Sequence, residues 1–257
     1  MRANAHNDLI VLQETLYRST NYTRKRLHND RLLWVSNAIN RFSDNLPSSV
    51  GVEYGPGSGI YLPLLSNKLL TVIASDSESL YLERIKCLYG DIPNLSLCND
   101  DIQNSSIKDC SVGLVLCTEV LEHIQDPELA LKTLYRILKP GGIAIVTTPQ
   151  RYSIIELSCK IAFLPILIDI VRKIYNEPIL QTGHISLQSF SSMNSMINTC
   201  GFDIIEHNKF GLYIPLLCEF GGRYGGRIVE FLEEKLSFTR FSNLFWTQAY
   251  VLRKPHK

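Results

Sequence analysis

The chain has 257 residues, of which 45% are hydrophobic and 20% charged, as in ordinary folded globular proteins. Its 26 Lys and Arg residues nearly balance 25 Asp and Glu, so the net charge of +1 favours neither nucleic acid nor an anionic membrane as a general partner. Seven cysteines without CxxC spacing indicate reduced thiols in a cytoplasmic protein. We predict no metal-binding residues and no transmembrane segment.

The first predicted element is an N-terminal helical arm over residues 1–44. Within it, residues 7–42 read as two helices, because apolar residues recur at helical spacing. The residues that carry this pattern are Leu32, Leu33, Val35, Ile39 and Phe42.

Residues 45–257 are predicted to form one α/β domain. Apolar runs that alternate with helical patterns predict a doubly wound, Rossmann-like and mostly parallel sheet of seven strands, with right-handed crossovers. A ligand should bind at the carboxyl ends of these strands. A helical insertion, interpreted as a lid, follows the fifth strand over about residues 151–186. The strands are expected near residues 50–54, 70–74, 95–98, 112–117, 143–148, 202–206 and 245–252.

The segment GVEYGPGSG, residues 51–59, follows the first strand and opens a helix. Gly55, Gly57 and Gly59 can form a tight turn that brings the backbone against a ligand. Their GxGxG spacing differs from the GxGxxG of a dinucleotide site. Glu53 disfavours a phosphate and suits an amino group. A purely structural turn is the alternative.

Two acids follow at the ends of the next strands. Asp76, in VIASDSES, lies about 20 residues after the glycines, where an acid can accept ribose hydroxyls. The alternative is that Asp76 or Ser77 caps the following helix. Asp101, in NDDI, can accept the exocyclic amine of adenine, with a solvated loop acid as the alternative.

An ordered set of motifs resembles the class I S-adenosylmethionine-dependent methyltransferases over roughly residues 48–210. Within that class, the chain most resembles the small-molecule branch that includes ubiquinone-biosynthesis O-methyltransferases. The motifs are VGVEYGPGSG, VIASDSES, CNDDI, VGLVLCTEVLEHI, RILKPGGIAIVTTP and GHISLQSFSSMNSMINTCGF.

The resemblance implies an enzyme that uses S-adenosyl-L-methionine to methylate a small molecule, at oxygen in the leading reading. The alternatives are methylation of nitrogen or carbon on a small or lipid-like acceptor, a non-catalytic cofactor-binding scaffold, and a nicotinamide-dependent dehydrogenase. Nucleic acid is disfavoured as a partner, because CTEV stands where base methyltransferases often have an NPPY-like tetrapeptide.

The resemblance also implies cofactor-binding roles for individual residues. Asp100 is the alternative to Asp101 for the adenine amine. The expected set comprises the three glycines and Glu53 at the methionine portion, Asp76 with Ser77 at the ribose, Asp101 and Ile102 at the adenine, and Cys117 below the methionine end.

Methylation of an oxygen requires removal of a proton, for which histidine is suited. His184, in QTGHISLQSF, is the first candidate base and His123, in EVLEHI, is the second; either histidine could instead make only a local structural hydrogen bond. Glu119 and Glu122 flank the same turn, and the sequence does not separate their roles.

The acceptor is expected to be hydrophobic or anionic. An anionic acceptor could meet the basic arm, whose residues include Arg24, Arg26 and Arg31, although a solvated helix face is the default. A hydrophobic acceptor could lie under the insertion, for which an interfacial membrane helix is a weaker alternative. Gln150, Arg151 and Tyr152 follow the fifth strand, where the resemblance implies contacts to the acceptor, although a solvated loop is expected for any one of them. The oligomeric state is not predicted.

Overall fold

The computed structural model describes residue 17 and residues 22–46, 49–162 and 183–256. A seven-stranded sheet has the order β3-β2-β1-β4-β5-β7-β6. Strands β1 to β5 pair in parallel, whereas β7 is antiparallel to β5 and β6. The predicted Rossmann-like sheet is thereby confirmed. The strands are β1 Val50–Tyr54, β2 Thr71–Asp76, β3 Leu95–Asn99, β4 Val112–Thr118, β5 Leu138–Pro149, β6 Asp203–Phe210 and β7 Thr247–Arg253.

Helices lie between these strands and before them. The helices are α1 Tyr22–Ser43, α2 Leu62–Lys68, α3 Ser79–Tyr89, α4 Pro127–Ile137, α5 Ile154–Ala162, α6 Phe190–Thr199, α7 Pro215–Phe220 and α8 Gly222–Leu236. No helix in the described ranges is long and apolar enough to cross a membrane.

Two predictions about the helices extend beyond the described residues, and one helix was not predicted. The described part of the arm is one helix, α1, while most of the segment before it lies outside the described residues. The predicted insertion begins with α5, and its residues 163–182 are also outside the described residues. Helix α7 was not predicted, because its six residues are too few to show a helical period.

Both faces of the sheet are covered, as a parallel sheet requires. Along β4, alternate residues enter opposite clusters: Val115 and Cys117 pack with α4 and α6, whereas Leu114 and Leu116 pack with α1 and α2. This two-sided burial explains why β4 reads as a continuous apolar run. The turns that follow the strands are left at one edge, where a ligand is expected.

Helix α1 is fastened to α8 by Arg26. The Arg26 Nη1 lies 2.8 Å from Glu233 Oε2, and Nη2 donates to the carbonyl of Leu212 at 2.7 Å. The Glu233 carboxylate also accepts from the backbone amides of Gly211 and Leu212. The Arg26 side chain is only 8% exposed, so the solvated-face prediction is wrong for this residue.

Replacing Arg26 with alanine should lower the free energy of unfolding by about 3 kcal/mol, because the mostly buried carboxylate of Glu233 would lose its counter-charge. Urea denaturation followed by circular dichroism measures this change. Lys25→Ala, which removes an exposed charge one residue away, should change stability by less than about 0.5 kcal/mol. Equal effects of the two substitutions would show that the Arg26 contacts do not stabilise the fold.

Candidate functional site

The glycine-rich turn connects β1 to α2, and its three glycines are in the left-handed region. Gly55, Gly57 and Gly59 have φ angles of +62°, +53° and +70°. The Gly55 amide donates to the carbonyl of Ser75 at 2.9 Å, which ties the turn to β2. A Cβ atom at Gly55 would approach Val120 to 2.5 Å. Glycine is therefore required here both by conformation and by space.

Glu53 lies at the end of β1, two residues before Gly55, and is 1% exposed. Its Oε2 atom has no hydrogen-bond partner among the described residues. Burial raises the pKa of this carboxyl to about 8. An orphaned buried carboxylate beside a turn of glycines fits a ligand that carries an amino group, since a cation would stabilise the ionised form.

Asp76 is the last residue of β2, and its Oδ1 accepts from the Glu78 amide at 2.9 Å. Burial raises the pKa of Asp76. Helix α3 begins at Ser79 with Glu78 at its N-cap, so Ser77 is not the predicted cap and lies exposed. Asn99 fixes this corner by donating to the carbonyls of both Asp76 and Ser77.

The structure distinguishes the two acids that follow β3. Asp100 is buried and accepts from the Ser105 hydroxyl and from the amide and hydroxyl of Ser106. Asp101 is exposed and uses only Oδ1 to cap a short 3-10 helix that begins with the buried Ile102. Both carboxylate oxygens of Asp100 are therefore hydrogen-bonded within the loop. Among the described residues Oδ2 of Asp101 accepts no hydrogen bond, so it is available to a ligand.

Cys117 lies near the carboxyl end of β4, opposite Tyr54 of β1 and Val146 of β5. Its side chain is fully buried, and burial raises the pKa of the thiol well above its usual value. The thiol is therefore neutral and behaves as a small apolar group. Cys117 lies at the same edge of the sheet as Glu53, where the sequence predicts the methionine end of the cofactor. Its contact with the cofactor stays a prediction.

The turn after β4 is held from two sides through Glu119. This residue has a φ of +55°, which is uncommon for a residue other than glycine. Its carboxylate accepts from the Thr147 hydroxyl at 2.9 Å and lies 2.7 Å from Arg31 Nη1. Arg31 is buried in α1, so the solvated-face prediction is wrong for it as well.

Glu122 and the two candidate histidines converge beside this turn. Their ligating atoms all lie within 4.8 Å of one another. The imidazoles of His123 and His184 meet edge to face with centroids 5.2 Å apart. His184 Nδ1 lies 3.2 Å from Glu156 Oε1 in α5, although this contact lacks hydrogen-bond geometry. The predicted base candidates thus share one cluster.

The protonation of this cluster follows from burial. Glu122 is 1% exposed and accepts from the Thr148 hydroxyl at 3.0 Å. Burial, with a smaller effect of Glu119, raises its pKa well above the usual range. Burial and the neighbouring His184 lower the pKa of His123. Near neutral pH, His123 is therefore uncharged and able to accept a proton or to ligate a cation.

Two imidazoles and a carboxylate also form a common donor set for a divalent transition-metal ion. Glu122, His123 and His184 could each offer one atom to such an ion, and Glu156 lies against His184. The prediction that the chain has no metal-binding residues stays untested. The sequence does not reveal this group as a motif, because His123 and His184 are 61 positions apart along the chain.

Several residues of the site were missed or misplaced by sequence reasoning. Gln150 is buried rather than solvated, and its backbone N–H donates to the carbonyl of Trp246. Arg151 and Tyr152 are exposed, as expected. Glu156 and Thr148 carry no local signal, because their roles arise only when α5 and β5 meet the turn after β4.

The chain matches the family described as methyltransferase domain over residues 27–207. A relative from Mycolicibacterium smegmatis, named a probable S-adenosylmethionine-dependent methyltransferase, is 24% identical over 70% of this chain and 61% of its own length. The chain thus spans about three fifths of this relative. A ubiquinone biosynthesis O-methyltransferase from Paracidovorax citrulli is 27% identical over 39% of this chain and 43% of its own length.

Solved structures share the fold. The N-methyltransferase NodS from Bradyrhizobium japonicum, determined with S-adenosyl-L-homocysteine, superposes with a TM-score of 0.60 at 13% identity, covering 98% of this chain and 97% of its own. The [4+2]-cyclase SpnF superposes with a TM-score of 0.58 at 13% identity, covering 87% and 80%. The family match spans more than half of the chain. The chain therefore belongs to the methyltransferase domain family, and the resemblance to S-adenosylmethionine-dependent methyltransferases in its motifs is confirmed.

Proposed function

We propose that this chain transfers a methyl group from S-adenosyl-L-methionine to a hydroxyl oxygen of a small-molecule acceptor. The observation that carries the oxygen assignment is the cluster of Glu122, His123 and His184, which lies beside the turn after β4. The names of the relatives support the methyl donor, and the ubiquinone biosynthesis O-methyltransferases support oxygen as the acceptor atom.

The cofactor would lie along the carboxyl ends of β1, β2 and β3. In this proposal Glu53 faces the amino group of the methionine portion, and Gly55, Gly57 and Gly59 leave room for the backbone to approach it. Asp76, with Ser77 beside it, accepts the ribose hydroxyls. Asp101 accepts the adenine amine next to Ile102, and Cys117 lies below the methionine end. The orphaned oxygen of Glu53 supports the first of these roles.

The proposed reaction is an in-line displacement. A lone pair of the acceptor oxygen forms the new bond to the methyl carbon, while the bond from that carbon to the sulfonium sulfur breaks and leaves S-adenosyl-L-homocysteine. The hydroxyl proton passes to His184, with His123 as its neighbour. Glu156 would stabilise the resulting imidazolium from 3.2 Å.

Transfer to nitrogen is the second candidate, because NodS is named an N-methyltransferase. A neutral amine can attack before it loses a proton, so it depends less on a neighbouring base. A scaffold that binds the cofactor without turnover is the third candidate, since the fold alone does not establish transfer. Assays with labelled S-adenosylmethionine and paired hydroxyl and amine acceptors separate the three.

Replacing His184 with alanine should lower kcat for a hydroxyl acceptor by a factor of about 10² or more. The dissociation constant for the cofactor should stay unchanged, because His184 belongs to the acceptor side of this proposal. His207→Ala, which removes an exposed imidazole on β6, should retain activity. Full activity of the His184 variant would contradict proton transfer at this cluster.

The cluster should also bind one divalent cation per chain, because Glu122 is a buried carboxylate without a counter-charge of its own in the cluster. Titration with Mn²⁺ after treatment with a chelator measures this binding, and Glu122→Gln should abolish it. A cation held there would bind the acceptor hydroxyl and lower its pKa. A His184 that ligates a cation could not also take the proton, so bound Mn²⁺ whose removal abolishes activity would replace His184 as the base. Absence of Mn²⁺ binding, with activity intact after the chelator, would contradict the cation site.

Glu53→Gln should make the cofactor-free protein more resistant to heat at high pH. Burial raises the pKa of Glu53 in the folded protein from about 4.5 to about 8. Below pH 4.5 the carboxyl is protonated in both the folded and the unfolded chain, so the fold has its full stability there. That stabilisation is lost as the pH rises through 8. The difference in Tm between variant and wild type should therefore grow from pH 5 to pH 9, as measured by calorimetry.

The same variant should bind S-adenosylmethionine about ten-fold or more weakly, because a charged contact to the amino group is lost. Glu83→Gln, which neutralises an exposed acid on α3, is the matched control and should change neither property. If Glu53→Gln binds S-adenosylmethionine with wild-type affinity, the amino group of the cofactor does not contact Glu53.

A further inference from the structure

Helix α8 has one face that is packed and one that is not. On the packed face Gly225, Gly226 and Val229 are buried. On the other face Tyr224, Ile228 and Phe231 are 84%, 49% and 57% exposed. Their spacing of four and three residues aligns them in one stripe along the helix. In the described part of the chain, none of these three side chains belongs to a buried apolar cluster.

The stripe continues beyond both ends of α8. Phe220 at the end of α7 is 70% exposed, Phe238 is 99% exposed and Phe241 is also exposed. Single exposed apolar residues are common, but a concentration of this size marks an interaction surface. We call these residues the α8 face, which comprises Phe220, Tyr224, Ile228, Phe231, Phe238 and Phe241.

Most of the exposed charged residues beside the α8 face are basic. Arg223, Arg227, Lys235 and Arg240 are exposed beside it. Lys235 Nζ lies 5.5 Å from the centroid of the Phe231 ring, so that an ammonium borders an exposed aromatic side chain.

The acids of α8 are mostly withdrawn from that surface. Glu230 accepts from the Tyr22 hydroxyl at 2.7 Å, and Glu233 pairs with Arg26. Of the three acids of this helix, Glu234 alone is exposed. Because the whole chain has a net charge of only +1, the positive field at the α8 face is a local feature rather than a property of the protein.

We propose that the α8 face binds the surface of a membrane that contains anionic lipid. The aromatic and aliphatic side chains would enter the boundary between headgroups and acyl chains, and the flanking Arg and Lys residues would meet the lipid phosphates. A second copy of the chain is the other occupant that an apolar face could take, and the oligomeric state distinguishes it in the test below.

The packed face of α8 is connected to α5 through one apolar cluster. Val229 and Leu232 of α8 pack in the same cluster as Ile154, the first residue of α5. Two residues later, Glu156 contacts His184. Helix α8 would therefore lie between the lipid surface and the start of α5.

Co-sedimentation with vesicles tests this proposal and requires neither cofactor nor acceptor, so its outcome is independent of the proposed methyl transfer. Wild-type protein should sediment with vesicles of phosphatidylcholine and phosphatidylglycerol, and less with phosphatidylcholine alone or at high salt. The triple variant Ile228→Ser, Phe231→Ser and Phe238→Ser should bind the anionic vesicles about ten-fold or more weakly.

A double variant, Leu70→Ser and Leu88→Ser, is the matched control, because both leucines are exposed and lie near β2 and β3, away from α8. It should bind like the wild type, and unchanged circular dichroism should show that the variants fold. Failure of the wild type to sediment, or sedimentation of the triple variant at the wild-type level, would overturn the proposal. So would a wild-type dimer that the triple variant dissociates, because the face would then be a protein interface.

Discussion

The parallel register of β1, β4 and β5 is the constraint on which the candidate site depends. Tyr54 pairs with Cys117, and Cys117 pairs with Val146, so the three strands end at one edge of the sheet. The glycine turn, the turn after β4 and the start of the insertion must therefore meet. Glu53, Glu122 and His123 are separated by up to 70 positions, and this register places the ends of their strands at one edge of the sheet.

Helix α1 contributes side chains to that edge of the sheet. Arg31 holds Glu119 in its left-handed conformation at the turn after β4, and Arg26 holds α8 through Glu233. Two ion pairs of one helix thus connect the turn beside the proposed methyl group with the helix that carries the α8 face. Both arginines are mostly buried, so each pair is screened little by solvent.

The sequence predicted the sheet and the glycine turn well because those features are local. Periodicity identifies strands such as β4, and the glycines of the turn reveal a conformation that other residues avoid. The contacts of Arg31 and Glu156 could not be predicted, since each depends on which helix face meets a distant turn. The solvated reading failed at Arg26 and Arg31 for the same reason: a basic residue shows its charge in the sequence but not its partner.

The fold itself leaves the chemistry open, as the likeness to a [4+2]-cyclase illustrates. The central claim concerns the ligand beside Glu53, and calorimetric titration of the purified chain with S-adenosylmethionine and, separately, with NAD tests it most directly. The account predicts saturable one-to-one binding of S-adenosylmethionine and no binding of NAD. Tight binding of NAD without binding of S-adenosylmethionine would contradict it.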